Sequence, residues 1–134
     1  MKRDEAKDWI KFAFKDLKVA KASADIGEFE LALYHLQQCV EKSLKALIVF
    51  YDIGVNIQKF RTHNIENLLE ILVGARIDLP DYAIKSKKLT IYAFTTRYPD
   101  FFMTSSRKEY EETYEMALKV YKWAKGIIEG SALE

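Results

Sequence analysis

The 134 residues predict an all-α domain, a four- to five-helix up-and-down bundle. Three observations predict it. Apolar residues recur at spacings of three and four along nearly the whole chain, which is one face of a helix. There are only five glycines and two prolines, read as breaks between periodic segments. No segment alternates with period two for long enough to form a strand.

The first helix is expected from about Arg3 to Ile26, on Ala6, Ile10, Ala13, Leu17, Ala20 and Ala24, with Gly27 stopping it. The second runs from about Phe29 to Ile53, with Phe29, Leu33, Leu36, Val40, Leu44, Leu47 and Tyr51 as its stripe, and Gly54 ends it. Ala32, Cys39, Ser43 and Ala46 form a small-residue edge beside that stripe, which lets another helix come close. The short gap at Gly27 makes these two an antiparallel hairpin. Residues Val55 to Arg61 read as a loop. Thr62 reads as the N-cap of a third helix carrying Ile65, Leu68, Leu69 and Leu72 and ending at Gly74. Asp78-Leu79-Pro80 starts a fourth helix, with Pro near N1, that runs to about Arg97. Ser106 followed by Glu109 fits a capping box for a fifth, continued by Tyr110, Thr113, Ala117, Val120, Ala124 and Ile127 to Gly130. Residues 1–134 are read as one domain, with no repeat, low-complexity tract or linker.

Composition narrows the function. Hydrophobic residues make up 49%, enough for a packed core. The 21 Lys+Arg and 20 Asp+Glu nearly cancel, which excludes coating nucleic acid by bulk charge but leaves room for a local basic patch. A single cysteine, Cys39, excludes an internal disulfide and a Cys-rich zinc site, and suits a reducing cytosol. The charged start, Met1-Lys2-Arg3-Asp4-Glu5, does not read as a signal peptide, and no apolar run approaches the ~20 residues that span a bilayer.

Candidate site residues follow from polar groups with no core task. In Thr95-Thr96-Arg97-Tyr98-Pro99-Asp100-Phe101-Phe102, Pro99 should stop the preceding helix near Tyr98, leaving Arg97 at a helix-to-loop edge beside aromatics. A guanidinium there suits phosphate or a base, and equally suits the free carbonyls of a last helical turn. On a helical wheel Tyr34, Gln38, Glu41 and Lys45 share one side of the second helix, away from the centre of its stripe. Glu41 and Lys45 are an i,i+4 pair in the favourable order. This side reads either as a solvated face with an ordinary surface ion pair, or as a polar face lining a groove that Arg97 also reaches. His63, at a helix start, is positioned to cap or orient a loop. Lys85-Ser86-Lys87-Lys88 is a basic run that could line a phosphate path or be a solvated face. His35 and Cys39, four apart, could begin a metal site, but the His and Cys patterns of metal sites are absent and no metal is expected. There is no Gly-rich phosphate loop, nucleophile elbow or metal-binding acid pair, so no cofactor is expected and no catalytic residue is assigned. Cys39 reads as an inert structural thiol.

These residues carry a resemblance. Gly27-Glu28-Phe29 is followed by the run Ala32-Leu33-Tyr34-His35-Leu36-Gln37-Gln38-Cys39-Val40-Glu41-Lys42-Ser43-Leu44-Lys45-Ala46-Leu47, then Thr62-His63-Asn64-Ile65 with Leu68-Leu69, then Arg97-Tyr98-Pro99. From about residue 5 to 128 the chain resembles the HEPN domain, the higher-eukaryote and prokaryote nucleotide-binding domain. The resemblance implies a bundle that commonly forms a homodimer, often encoded beside a minimal nucleotidyltransferase with which it acts as a toxin–antitoxin or modification pair. The family is also similar to the helical substrate-binding domain of kanamycin nucleotidyltransferase. Many members are metal-independent ribonucleases whose motif is an Arg, four to six residues, then a His. Here no arginine is followed by histidine at that spacing: after Arg97 the window holds Phe102, Met103 and Thr104, and after Arg61 it holds Glu66, Asn67 and Leu68.

The expected function is therefore a non-catalytic module that binds a nucleotide or nucleic-acid segment. Arg97 would contact phosphate, Lys45 would add charge, Tyr98 would stack on a base and Glu41 would hold the basic groups, with Lys42 and His63 as further candidates. Two alternatives stand beside it. One is a ribonuclease using Arg97 with His63 brought across a dimer. The other is a structural dimerising partner in which Arg97 and Glu41 form a buried ion pair.

Overall fold

The long second helix is the axis around which the other elements pack. In the computed structural model, which describes residues 2–95 and 106–130, α1 spans Arg3–Asp25 and α2 spans Phe29–Phe50. They form the expected antiparallel hairpin and the most extensive helix pair among the described residues. Ala6, Ala13 and Ala20 on α1 and Ala32, Cys39 and Ala46 on α2 recur every seven residues and are all fully buried. Such small side chains let two backbones approach closely. The final helix, α7 (Arg107–Gly130), packs along both. Leu33, Leu36, Val40, Leu44 and Leu47 of α2 are fully buried in the core that the three helices share with α4 (Ile65–Gly74).

Helix ends follow the expected glycine stops only in part. Gly27 behaves as predicted: at φ +80° it closes α1, with Glu28 N–H bonded to Ser23 O and Gly27 N–H to Ala24 O, and α4 ends at Gly74 as expected. The same paired bonds close α2 and α4, yet the left-handed residues are Asp52 (φ 53°) and Arg76 (φ 64°), not Gly54 or Gly74. Gly126 is no break at all and lies inside α7.

The segment read as a loop from Val55 to Arg61 contains a one-turn helix, α3 (Ile57–Phe60), whose N-cap Asn56 accepts from Lys59 N–H at 2.8 Å. The N-cap of α4 is Asn64, which accepts from Glu66 N–H at 3.0 Å. Thr62 instead accepts from Asn64 N–H, tightening the approach to the cap. The expected fourth helix is broken into α5 (Asp81–Lys85), a 3₁₀ segment (Ser86–Ile91) and α6 (Tyr92–Thr95). Two side chains account for the break. Ser86 Oγ donates back to Ala83 O at 2.6 Å, a local bond that bends helices. Thr90 Oγ1 accepts from Ile65 N–H at 3.0 Å, which ties the 3₁₀ segment to the first turn of α4. The Ser106 cap holds, accepting from Glu109 N–H at 3.1 Å, while the Glu109 carboxylate accepts from Tyr92 OH at 2.6 Å.

Candidate functional site, a carboxylate-centred polar cluster

Glu41 lies in the middle of α2, where nearly every side is covered, and its carboxylate is 4% exposed. A buried charge is tolerated only when paired and hydrogen-bonded. Three donors meet it. Lys45 Nζ reaches one oxygen at 2.9 Å; Gln37 Nε2 and His63 Nδ1 reach the other at 3.1 and 3.0 Å. Helical spacing alone puts Gln37 and Lys45 one turn either side of Glu41. His63 comes from the approach to α4, twenty-two positions away, and Gln37 Nε2 also donates to His63 O at 3.2 Å, holding that backbone in place. Gln38 donates to Gln37 Oε1 at 2.6 Å.

This arrangement overturns the solvated-face reading. Lys45 is as buried as its partner, and its ammonium lies 5.8 Å from the Trp9 ring centroid on α1 and 5.4 Å from that of Phe60 on α3. The two rings meet edge to face at 5.4 Å. Carboxylate and rings together use up the lysine. Lys45 therefore supplies no free charge to a ligand from this position. His63 differs, with a side chain 44% exposed. An ionised carboxylate only accepts, so Nδ1 carries the proton toward Glu41. Nε2 is the ring's other nitrogen, on a half-exposed imidazole with its orientation set by a carboxylate. That is the geometry of a proton acceptor or hydrogen-bond partner for a ligand.

Lys42 belongs elsewhere. Its Nζ pairs with Asp16 at 2.7 Å, and His35 Nδ1 meets the other Asp16 oxygen at 2.9 Å. This second cluster joins α1 to a different face of α2. Fully buried Cys39 lies near it, and burial, followed by the Asp16 charge, pushes the thiol well above its usual range. The sulfur is a protonated thiol at neutral pH, not a nucleophile. Among the described residues no group of three or more His, Cys, Asp and Glu is placed to hold a metal ion. In the Lys85–Lys88 run, Lys85 pairs with Asp81 and Lys87 with Glu66, both pairs exposed, so these are solvated surface contacts rather than a phosphate path. Arg97 and Tyr98 lie outside the described residues. The described partners of Glu41 are Lys45, His63 and Gln37.

Of the candidates, the structure thus brings Glu41, Lys45 and His63 together and sends Lys42 to Asp16. Sequence reasoning missed Gln37, Trp9, Phe60 and Asp16. Asp16 left one signal: a charged residue beside the alanine stripe of α1.

The HEPN domain model matches residues 6–127, nearly the whole chain. This chain belongs to the HEPN family. It is similar to a Methanocaldococcus jannaschii protein named "Putative toxin MJ1304", with 30% identity over 132 residues covering 92% of this chain and 84% of that protein. Two crystal structures share the HEPN fold. TT1696 from Thermus thermophilus matches with a TM-score of 0.77 at 30% identity, over 93% of this chain and 98% of its own. ST0689, an archaeal HEPN homologue, matches with a TM-score of 0.70 at 29% identity, over 92% and 97%. No described helix of this HEPN domain is long and apolar enough to cross a membrane.

Proposed function

We propose that this HEPN domain is a toxin-like, non-catalytic module that binds a nucleotide or a nucleic-acid segment and works with a minimal nucleotidyltransferase in a toxin–antitoxin-like or modification pair in the cytoplasm. The observation that carries this reading is kinship over nearly the full chain with a protein named "Putative toxin MJ1304", joined to a sequence with no Arg-x4-6-His motif. Arg97 and Tyr98 are the proposed phosphate and base contacts, and His63 adds a half-exposed imidazole held by Glu41. Titration of a nucleotide panel and a labelled RNA oligomer tests it. A ligand at 100 times its dissociation constant should raise unfolding stability by about 2.7 kcal/mol. Arg97→Ala should weaken binding and reduce its salt sensitivity. No stabilisation by any member of the panel would sink the reading.

The ribonuclease reading draws support from the His63–Glu41 pair, since a carboxylate-oriented imidazole can serve as a general base at a 2′-hydroxyl. RNA cleavage by the wild type in the presence of a chelator, abolished by His63→Ala with the fold intact, would establish it in place of the first.

The working unit is proposed to be a two-fold homodimer. Ile84, Ile91 and Phe94 stand exposed along α5, the 3₁₀ segment and α6, on the stretch that leads to Arg97. A second copy of this chain would cover them. Light scattering giving the single-chain mass of 15.6 kDa at tens of micromolar would count against it.

A further inference from the structure

A second polar surface lies on the far side of α1. Lys7, Lys11, Lys15 and Lys18 fall at spacings of four, four and three, so they form one stripe along the helix. Trp9, which covers Lys45, is nine positions from Lys18, about half a turn around α1. The stripe therefore faces away from the Glu41 cluster. Where α1 runs beside α7, the stripe borders a groove of about 520 Å³ that Lys125 joins from the other side.

The balance of charge there is unlike that of the whole protein. Five lysines and one carboxylate, Glu129, line the groove, whereas the chain carries a formal net charge of only +1. None of the five lysines is in an ion pair with another described residue. A solvated helix face normally mixes signs. Unneutralised like charges side by side repel one another, so this arrangement is best satisfied by a polyanion.

The floor of the groove is aromatic. Phe14, 46% exposed, stacks on Tyr121 at 5.8 Å with the rings 29° apart, and Lys18 and Lys125 lie 5.4 and 5.9 Å from the Phe14 and Tyr121 centroids. Acidic protein surfaces and phospholipid headgroups need only the charge. A flat, half-exposed ring between the lysine row of α1 and Lys125 of α7 also offers a stacking face to a base. Four residues of helix advance about 6 Å, close to the step between successive phosphates of a single strand.

We propose that the α1/α7 groove binds single-stranded RNA, the lysine stripe following the phosphates while Phe14 stacks on a base. The proposal rests on the nucleic-acid reading above and adds the surface and the strand type. Fluorescence anisotropy with a labelled oligouridine 20-mer tests it on the full chain. With four to five phosphates neutralised, the slope of log K against log salt should be about −3, which is roughly a 60-fold weakening from 50 to 200 mM salt. The double variant Lys11→Gln/Lys15→Gln, both exposed, should flatten that slope by about 1.4. Phe14→Ala should weaken binding at least fivefold and leave the slope unchanged. If the lysine pair has no effect while Arg97→Ala or His63→Ala lowers affinity, RNA binds at the other site: this proposal fails and the function proposed above stands. If the lysine pair matters but Phe14→Ala does not, and an oligoglutamate competes as well as RNA does, the groove takes an acidic partner and the proposal is overturned. If the wild type binds no RNA at 50 mM salt, it is overturned outright.

Discussion

Glu41→Ala lowers the free energy of unfolding by ~3–5 kcal/mol, read as a drop in the urea midpoint with the slope preserved. The magnitude follows from what is left behind. Lys45 stays buried between Trp9 and Phe60 with its ammonium facing no counter-charge, and Gln37 loses an acceptor. Removing one partner of a buried pair costs far more than the pair itself contributes, because the remaining charge keeps its desolvation penalty. Lys45→Ala should be similarly damaging, stranding the carboxylate. The double replacement Glu41→Leu/Lys45→Met should recover much of the loss. His63→Ala should cost little, about 1 kcal/mol or less, because that ring is half in water and its pairing is screened. Small effects of Glu41→Ala and Lys45→Ala would mean that the pair is hydrated in solution and its carboxylate open to ligands.

Leu36→Ala costs ~2–5 kcal/mol by the same measurement. Leu36 is fully buried on α2, the helix packed against α1, α4 and α7 at once. Truncation removes apolar contact and leaves a cavity that three anchored neighbours cannot close. Ile57→Ala is the control: Ile57 is 61% exposed on α3, and its truncation should stay within about 0.5 kcal/mol. A Leu36→Ala loss no larger than that control would show that α2 is not the axis of the core.

The all-α class, the hairpin of the first two long helices and the last helix were legible in the sequence because helical periodicity is local. A residue's face follows from its position along 3.6 residues per turn, and Ala6 through Ala24 or Tyr110 through Ala124 state it repeatedly. The Glu41–Lys45 pair was legible for the same reason, as was the Ser106 cap. The HEPN membership was legible from the ordered segments around Glu41, Thr62 and Arg97.

Tertiary structure decided which side of α2 meets solvent. On the wheel, Gln38, Glu41 and Lys45 form a polar side of the kind that normally faces water. Trp9 arrives from thirty-two residues before Glu41 and His63 from twenty-two after it, and the wheel carries no information about either. Tertiary structure also decided the ends and the breaks. Asp52 and Arg76 take left-handed conformations usually left to glycine because the paired terminal bonds of α2 and α4 require a residue there. The expected fourth helix tightens where Ser86 turns back on Ala83 and Thr90 accepts from Ile65 N–H in the first turn of α4. Local spacing encodes which residues share a face; which partner covers that face depends on contacts between residues far apart in the chain, and those exist only once the helices have packed.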